Sequence, residues 1–188
     1  WILDQFVGSG TTLIEAKLLN RNAVGVDINP QSVSISEKNI QFESNSVSKI
    51  FVREGNAVKL DFLKNEKIDF ICTHPPYADI IQYSKNIEGD LSRLGTKEFL
   101  ETMEKVAKES LRVLKRGKNC AVMMGDIRNR GKVMPLGFRT MELFLNAGFQ
   151  LKEIIIKEQH NCKSMLYWKD RNNKFLLLAH EYIFVFQK

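Results

Sequence analysis

The chain has 188 residues, of which 44% are apolar and 27% are charged. This length suits one domain of ordinary size, and the composition excludes disordered, collagen-like and disulfide-scaffold proteins. No apolar run approaches the roughly 20 residues that span a bilayer, and no charged segment precedes a short apolar core at the N-terminus. The three cysteines form no CxxC pair, so neither a disulfide framework nor a zinc site is indicated. We therefore expect a reduced, cytoplasmic protein with neither membrane contact nor metal.

The net charge is +6 and the basic residues are unevenly distributed. Residues 1–90 carry 9 basic and 12 acidic side chains, whereas residues 91–188 carry 19 and 10. A basic C-terminal half favours a polyanionic partner, most simply nucleic acid. Ordinary solvated lysines explain the charge equally well, so charge alone leaves both interpretations open.

Apolar runs and helical spacing predict that strands and helices alternate along the chain. The predicted strands are Trp1–Phe6, Ala23–Ile28, Lys49–Val52, Ile68–Cys72, Cys120–Met124, Phe149–Ile156 and Phe175–Phe186. The predicted helices are Thr11–Leu19, Asn29–Phe42, Phe99–Leu114 (stopped by Gly117) and Met134–Ala147 (closed by Gly148).

This order reads as five β/α steps followed by an antiparallel pair of strands. Such a pattern predicts an α/β protein with a largely parallel sheet covered on both faces. We expect one domain over residues 1–188, because no linker or repeat divides the chain. Segments 78–95 and 159–174 lack clear periodicity and are long for connections, which is typical of functional loops.

A glycine-containing turn, Asp4–Thr12, joins the first strand to the first helix. Its glycines let the backbone approach a ligand, and the helix N-terminus offers free N–H groups. The spacing is neither GxGxxG nor the phosphate-binding GxxxxGKS/T, which disfavours a pyrophosphate cofactor or ATP. Asp27 ends the second strand, where an acid can accept hydrogen bonds from both hydroxyls of a ribose. The two features together favour a nucleoside-type ligand over a plain strand-to-helix turn.

Leu3–Thr12 resembles the first cofactor motif of the S-adenosylmethionine-dependent DNA amino-methyltransferases, the N4-cytosine/N6-adenine DNA methylase family. Asp27 matches the family's ribose-binding acid, and Gly55-Asn56-Ala57 stands where the family places a residue near the adenine. The resemblance implies S-adenosylmethionine as cofactor and a Rossmann-like class I methyltransferase fold, with a mostly parallel seven-stranded sheet and a C-terminal antiparallel hairpin. The cofactor-binding residues that it implies are Asp4, Phe6, Gly8, Ser9, Gly10, Thr11, Thr12, Asp27, Ile28, Asn56 and Ala57.

The element His74-Pro75-Pro76-Tyr77 follows the fourth strand. Ligands of open α/β sheets bind at the carboxyl ends of strands, so this element should face the same crevice as the glycine turn. It resembles the family's catalytic motif, a polar residue followed by Pro-Pro-Tyr or Pro-Pro-Phe. The resemblance implies that His74 and the Pro75 carbonyl accept the N–H groups of an exocyclic base amine, while Tyr77 stacks on a flipped base. The alternative is a rigid Pro-Pro turn with a structural tyrosine.

His74 departs from the Asp, Asn or Ser that most relatives carry at this position. A histidine can accept a hydrogen bond only when it is neutral, through the ring nitrogen that lacks the proton. Activity should therefore fall as the pH drops through its pKa. Thr73 or a backbone carbonyl could provide the contact instead. The histidine decides neither cytosine N4 nor adenine N6 as the target.

The basic C-terminal half supplies candidate contacts to double-stranded DNA. Residues 125–132 are expected to form a mobile basic loop near the mouth of the crevice, suited to phosphates. Residues 157–169 mix donors, cations and aromatics that can read base edges. A solvated turn and a core cap are the respective alternatives. The candidate DNA-binding residues are Arg128, Arg130, Lys132, His160, Asn161 and Lys163.

The resemblance covers nearly the whole chain and implies site-specific DNA methylation, as in bacterial, archaeal or phage restriction–modification. Two features depart from it: there is no separate target-recognition domain, and the chain opens directly on the first strand, as a fragment would. Two alternatives keep the same Pro-Pro-Tyr element or fold. One is methylation of RNA or of a protein glutamine, and the other is a catalytically silent nucleic-acid-binding protein.

Overall fold

A computed structural model describes residues 1–78, 83–84, 86–129, 131–160 and 176–188. The strands are β1 (Ile2–Asp4), β2 (Ala23–Asp27), β3 (Ile50–Glu54), β4 (Ile68–Thr73), β5 (Leu114–Met124), β6 (Ile127–Asn129), β7 (Lys132–Met134), β8 (Gln150–Glu158) and β9 (His180–Gln187). The helices are α1 (Thr11–Leu18), α2 (Pro30–Asn39), α3 (Thr96–Val113) and α4 (Leu136–Ala147), and Leu91–Arg93 is a short 3₁₀ turn. Within this described part, none of the helices has the length and apolar character needed to cross a membrane.

Seven strands form one sheet in the order β3-β2-β1-β4-β5-β9-β8. The first five strands in the sheet run parallel, and β9 is antiparallel to both β5 and β8. The chain order reverses between β1 and β4, which makes their carboxyl ends the topological switch point where ligands of such sheets bind. The predicted fold class, with its C-terminal antiparallel hairpin, is confirmed.

The central strands are covered on both faces. Leu3 and Val24 pack in one cluster with Phe99 of α3, whereas Ala23 packs in another with Leu13 of α1. Because successive strand residues point to opposite faces, α1 and α3 cover opposite sides of the sheet. Gly25 is required on the α1 side, since a Cβ there would lie 2.7 Å from the side chain of Leu13.

Three local predictions are wrong. Helix α3 ends at Val113 and passes directly into β5, so Gly117 does not stop it but lies within that strand at a φ of +72°. The connection between β3 and β4 contains no helix, so the five predicted β/α steps are reduced by one. Residues 125–132 are not simply a loop, because β6 and β7 pair there as an antiparallel hairpin.

Candidate active site

One cleft of about 1210 Å³ opens at the carboxyl ends of the central strands. Sites for a single small ligand have volumes of roughly 300–1,000 Å³, so this cleft has room for more than one. All four residues of the His-Pro-Pro-Tyr element line it, and so do all the predicted cofactor residues except Gly10. The lining residues from the cofactor prediction are Asp4, Phe6, Gly8, Ser9, Thr11, Thr12, Asp27, Ile28, Asn56 and Ala57.

The glycine turn is held in place by α2. Ser36, a buried residue of α2, donates a hydrogen bond to the Gly8 carbonyl at 2.8 Å, and Asn39 donates to the Ser9 carbonyl at 2.8 Å. Gly10 has a φ of +90°, and a Cβ there would lie 3.1 Å from the Ser36 hydroxyl. The close approach of α2 therefore requires a glycine at position 10. Gly10 packs against α2 and does not line the cleft.

Asp27 links the end of β2 to the glycine turn. Its carboxylate accepts the Gly8 N–H at 3.0 Å and the Asn29 N–H at 2.9 Å. Burial raises the pKa of Asp27 above its ordinary value, and these two hydrogen bonds partly offset the rise. A carboxylate has about four acceptor positions, so the group retains capacity for hydroxyl groups of a ligand in the cleft.

Asp4 and Thr73 join the tips of β1 and β4. The Thr73 hydroxyl donates to the Asp4 carboxylate at 3.0 Å and accepts the Gln5 N–H at 3.2 Å. Asp4 also accepts the Phe6 N–H at 3.1 Å, and burial raises its pKa. Thr73 is 4% exposed, its proton is committed to Asp4 and one of its two acceptor positions to Gln5, so burial rather than hydrogen bonding disfavours the alternative that it contacts a base in place of His74.

The His-Pro-Pro-Tyr element is anchored to the hairpin of β8 and β9. The His74 Nε2 lies 2.7 Å from the Tyr77 hydroxyl, which donates to the Glu181 carboxylate at 2.6 Å. Lys157 donates to the second oxygen of Glu181 at 2.7 Å. The Tyr77 ring also packs against the backbone, because a Cβ on Gly125 would lie 3.0 Å from its Cε2.

The contacts among His74, Tyr77 and Glu181 determine their protonation states. Burial and the Glu181 carboxylate raise the pKa of Tyr77 well above its ordinary value. Burial acts to raise the pKa of Glu181, but hydrogen bonds from Lys157 and Tyr77 outweigh it and hold that pKa below its usual value. Burial lowers the pKa of His74, against the opposing effect of Glu181. At neutral pH the site therefore holds a neutral histidine, a protonated tyrosine and a carboxylate.

Four described residues of segment 78–95 also line the cleft, namely Tyr83, Gly89, Asp90 and Leu91. The Asn29 side chain donates to the Tyr83 carbonyl at 3.2 Å, and a Cβ on Gly89 would lie 3.0 Å from the amide nitrogen of Asn56. Asp90 caps the 3₁₀ turn by accepting the Ser92 N–H at 2.8 Å. The segment thus packs against the residues beside Asp27.

The predicted DNA-binding residues are dispersed. Arg128 lines the cleft and donates to the carbonyls of Gly131 and Leu176 at 2.9 and 3.0 Å. Lys132 and His160 are exposed and do not line the cleft, and His160 lies 3.7 Å from the Glu158 carboxylate. Arg130, Asn161 and Lys163 lie outside the described residues.

The sequence reasoning missed the part of the site that comes from the C-terminal hairpin. Besides Lys157 and Glu181, a second chain of hydrogen bonds reaches the cleft there. His180 Nε2 lies 2.9 Å from the Tyr182 hydroxyl, which donates to Asp126 at 3.3 Å. The signal was a glutamate directly before the apolar run Tyr182–Phe186, and Glu181 is 5% exposed. A buried acid in such a place requires hydrogen-bond partners.

The fold is shared with known enzymes. A solved S-adenosylmethionine-dependent methyltransferase from Methanosarcina mazei superposes with a TM-score of 0.68 at 15% identity, covering 100% of this chain and 91% of the other. The superposition shows that this chain has the Rossmann-like fold of that methyltransferase. The sequence matches the DNA methylase family of N6 and N4 enzymes over residues 1–38 and 68–188, and the chain belongs to that family.

Two curated relatives differ in what their names say they methylate. A tRNA (guanine(10)-N2)-dimethyltransferase from Methanothermobacter thermautotrophicus is 34% identical over 101 residues, 54% of this chain and 28% of the relative. The type II methyltransferase M.MjaVI from Methanocaldococcus jannaschii is 27% identical over 125 residues, 66% of this chain and 61% of the relative. The chain thus spans less than two thirds of either relative.

S-adenosylmethionine is the cofactor of this family and fold. The residues present fit it. Asp27 offers a carboxylate at the end of β2, and a Cβ on Gly8 would meet only the Phe6 carbonyl oxygen, at 4.0 Å, so the turn leaves open space beside the backbone. Among the residues that the structure describes, no group of three or more His, Cys, Asp or Glu side chains is placed to hold a metal ion.

Proposed function

We propose that this chain methylates an exocyclic amine of a DNA base, N4 of cytosine or N6 of adenine. The observation that carries the proposal is the single cleft shared by the glycine turn and the His-Pro-Pro-Tyr element. The hydrogen bond between Thr73 and Asp4 holds the two strand tips side by side. A donor bound at one tip and an amine bound at the other are thereby kept within reacting distance.

When bound, S-adenosylmethionine supplies an electrophilic methyl group on its sulfonium sulfur. On the protein side, Asp27 would accept hydrogen bonds from the ribose, and Gly8 with its neighbours would hold the methionine part. Asn56, which lines the cleft, would hold the adenine. These residues would hold the donor on one side of the cleft, and Pro75 lines the same cleft.

The second substrate is positioned by the other strand tip. The amine of cytosine or adenine is a poor nucleophile because its lone pair is delocalised into the ring. His74 and the Pro75 carbonyl accept its two N–H groups, which favours a pyramidal nitrogen with an available lone pair. Pro76 keeps the turn rigid, and Tyr77 contacts the base. Arg128 at the cleft, and the exposed Lys132 and His160 outside it, contact the nucleic acid.

Methyl transfer from radiolabelled donor to duplex DNA, RNA and protein tests this proposal, with the product nucleosides resolved by mass spectrometry. We expect N4-methylcytosine or N6-methyladenine from duplex DNA. Because one relative is named a tRNA guanine-N2 methyltransferase, transcripts of tRNA belong in the same experiment. Methylated guanine in tRNA, methylated glutamine in protein, or no transfer at all would each contradict the proposal.

The division of roles between the two tips is tested by a pair of variants. His74→Ala should lower kcat for methyl transfer by about 10²-fold, the typical cost of losing one group that stabilises a transition state, with little change in donor affinity. Asp27→Ala should chiefly weaken donor binding. Equal losses of turnover and of donor affinity in both variants would refute this division.

A further inference from the structure

The hydrogen bonds around Tyr77 can run in only one direction. A lysine ammonium only donates, so the Glu181 oxygen facing Lys157 at 2.7 Å must accept. The other oxygen of this ionised carboxylate also only accepts, and the Tyr77 hydroxyl donates its hydrogen bond to it at 2.6 Å. That hydroxyl has no second proton, so at 2.7 Å it must accept from the His74 Nε2.

This direction fixes where the histidine carries its proton. A neutral imidazole has one N–H, and here it lies on Nε2. The other ring nitrogen, Nδ1, then keeps a lone pair, and within the described residues no hydrogen bond to it occurs. Of the two neutral tautomers of His74, only the one protonated on Nε2 leaves Nδ1 able to accept a hydrogen bond.

We propose that Glu181, held by Lys157, is a positioning residue that sets the proton of His74 on Nε2 and thereby leaves Nδ1 as the acceptor for the base amine. The use of that acceptor rests on the function proposed above, but the placement of the proton does not. Glu181 acts through Tyr77 and touches neither substrate.

The hairpin explains how the carboxylate is held. Lys157 and Glu181 are directly opposite each other in the antiparallel pairing of β8 with β9. Side chains in such a pair lie about 5 Å apart at their Cβ atoms and reinforce each other when oppositely charged. The Glu181 side chain is 7% exposed, so water does not replace its partners readily.

The same contacts predict what Glu181→Gln does. The amide must turn its oxygen toward Lys157, which leaves its NH2 group facing the Tyr77 hydroxyl. That hydroxyl then accepts from the amide and donates to His74 Nε2. The proton of His74 moves to Nδ1, where it repels an amine N–H instead of accepting it.

Nitrogen-15 NMR of the histidine rings at pH 8, without substrate, tests the proton placement directly. Protonated and unprotonated ring nitrogens differ widely in chemical shift, and His74→Ala identifies the signals. We expect Nε2–H in the wild-type protein and Nδ1–H in Glu181→Gln. The matched control is Asp126→Asn, which alters the chain to His180 and should leave the His74 signals as in the wild type.

In a methyl-transfer assay, Glu181→Gln should lower kcat by about 10²-fold with an unchanged KM for the donor. A wild-type His74 with its proton on Nδ1, or an unchanged tautomer in Glu181→Gln, would overturn the proposal even if the variant lost activity. A wild-type chain that methylates no DNA would contradict the proposed function, whereas the NMR spectra decide the proton placement separately.

Discussion

Replacing Asp27 by alanine should weaken both the fold and the binding of the methyl donor. The carboxylate accepts two backbone N–H groups, at 3.0 and 2.9 Å, and a hydrogen bond to a charged group contributes about 1.5–3 kcal/mol. Burial raises the pKa of Asp27, so desolvation of the carboxylate offsets part of this gain. We expect the free energy of unfolding to fall by about 2 kcal/mol.

The same substitution removes the acceptor for the ribose and releases the Gly8 N–H that shapes the turn. Loss of the hydrogen bonds to the ribose and to the Gly8 N–H should raise the Kd for S-adenosylhomocysteine by about 10²-fold, which corresponds to roughly 2.7 kcal/mol. Urea denaturation measures the first effect, and isothermal titration calorimetry of the folded variant measures the second.

Asp61→Ala provides the matched control, because this aspartate is exposed and its ion pair with Lys59 is too, with side chains 72% and 73% exposed. Its stability should stay within about 0.5 kcal/mol of the wild type. If Asp27→Ala matched Asp61→Ala in both stability and donor affinity, Asp27 could not have the two roles assigned to it.

Three further predictions follow from the site and its support. Burial lowers the pKa of His74, so methyl transfer should fall on acidification with a midpoint below the ordinary histidine value; a rise in kcat on acidification would contradict a neutral acceptor. Gly125→Ala places a Cβ 3.0 Å from Tyr77, so kcat should fall while donor affinity, measured by calorimetry, is kept; a wild-type kcat would contradict this contact. Arg112→Met removes hydrogen bonds to Glu109 and to the Leu60 carbonyl, so urea denaturation should give an unfolding free energy about 2 kcal/mol lower, and an unchanged value would contradict this role.

Features set by local sequence could be predicted. Each apolar strand, the glycine turn and the His-Pro-Pro-Tyr element is a single unbroken stretch of sequence. Parallel strands end at the same edge of a sheet, which predicts that the glycine turn and the His-Pro-Pro-Tyr element lie close together. Gly117 shows the limit of local signals. Its freedom to adopt positive φ is typical of a helix end, but here the helix ends earlier and Gly117 serves an irregular point within β5.

Features set by distant contacts could not be predicted. Glu181 meets Tyr77 across 104 residues of sequence, and Lys157 reaches Glu181 only through the register of β8 and β9. No sequence motif marks either of these two contacts. An acid next to an apolar run does, however, indicate a side chain that has hydrogen-bond partners when it is buried. Thr73 is a similar case, since its engagement by Asp4 depends on the neighbouring strand.

A crystal structure of the chain with S-adenosylhomocysteine tests the central claim most directly. We expect the ribose hydroxyls on Asp27, the sulfur between Gly8 and Pro75, and open space in front of His74 large enough for a base. A cofactor bound elsewhere on the molecule, or a sulfur separated from Pro75 by the protein's own side chains, would contradict it.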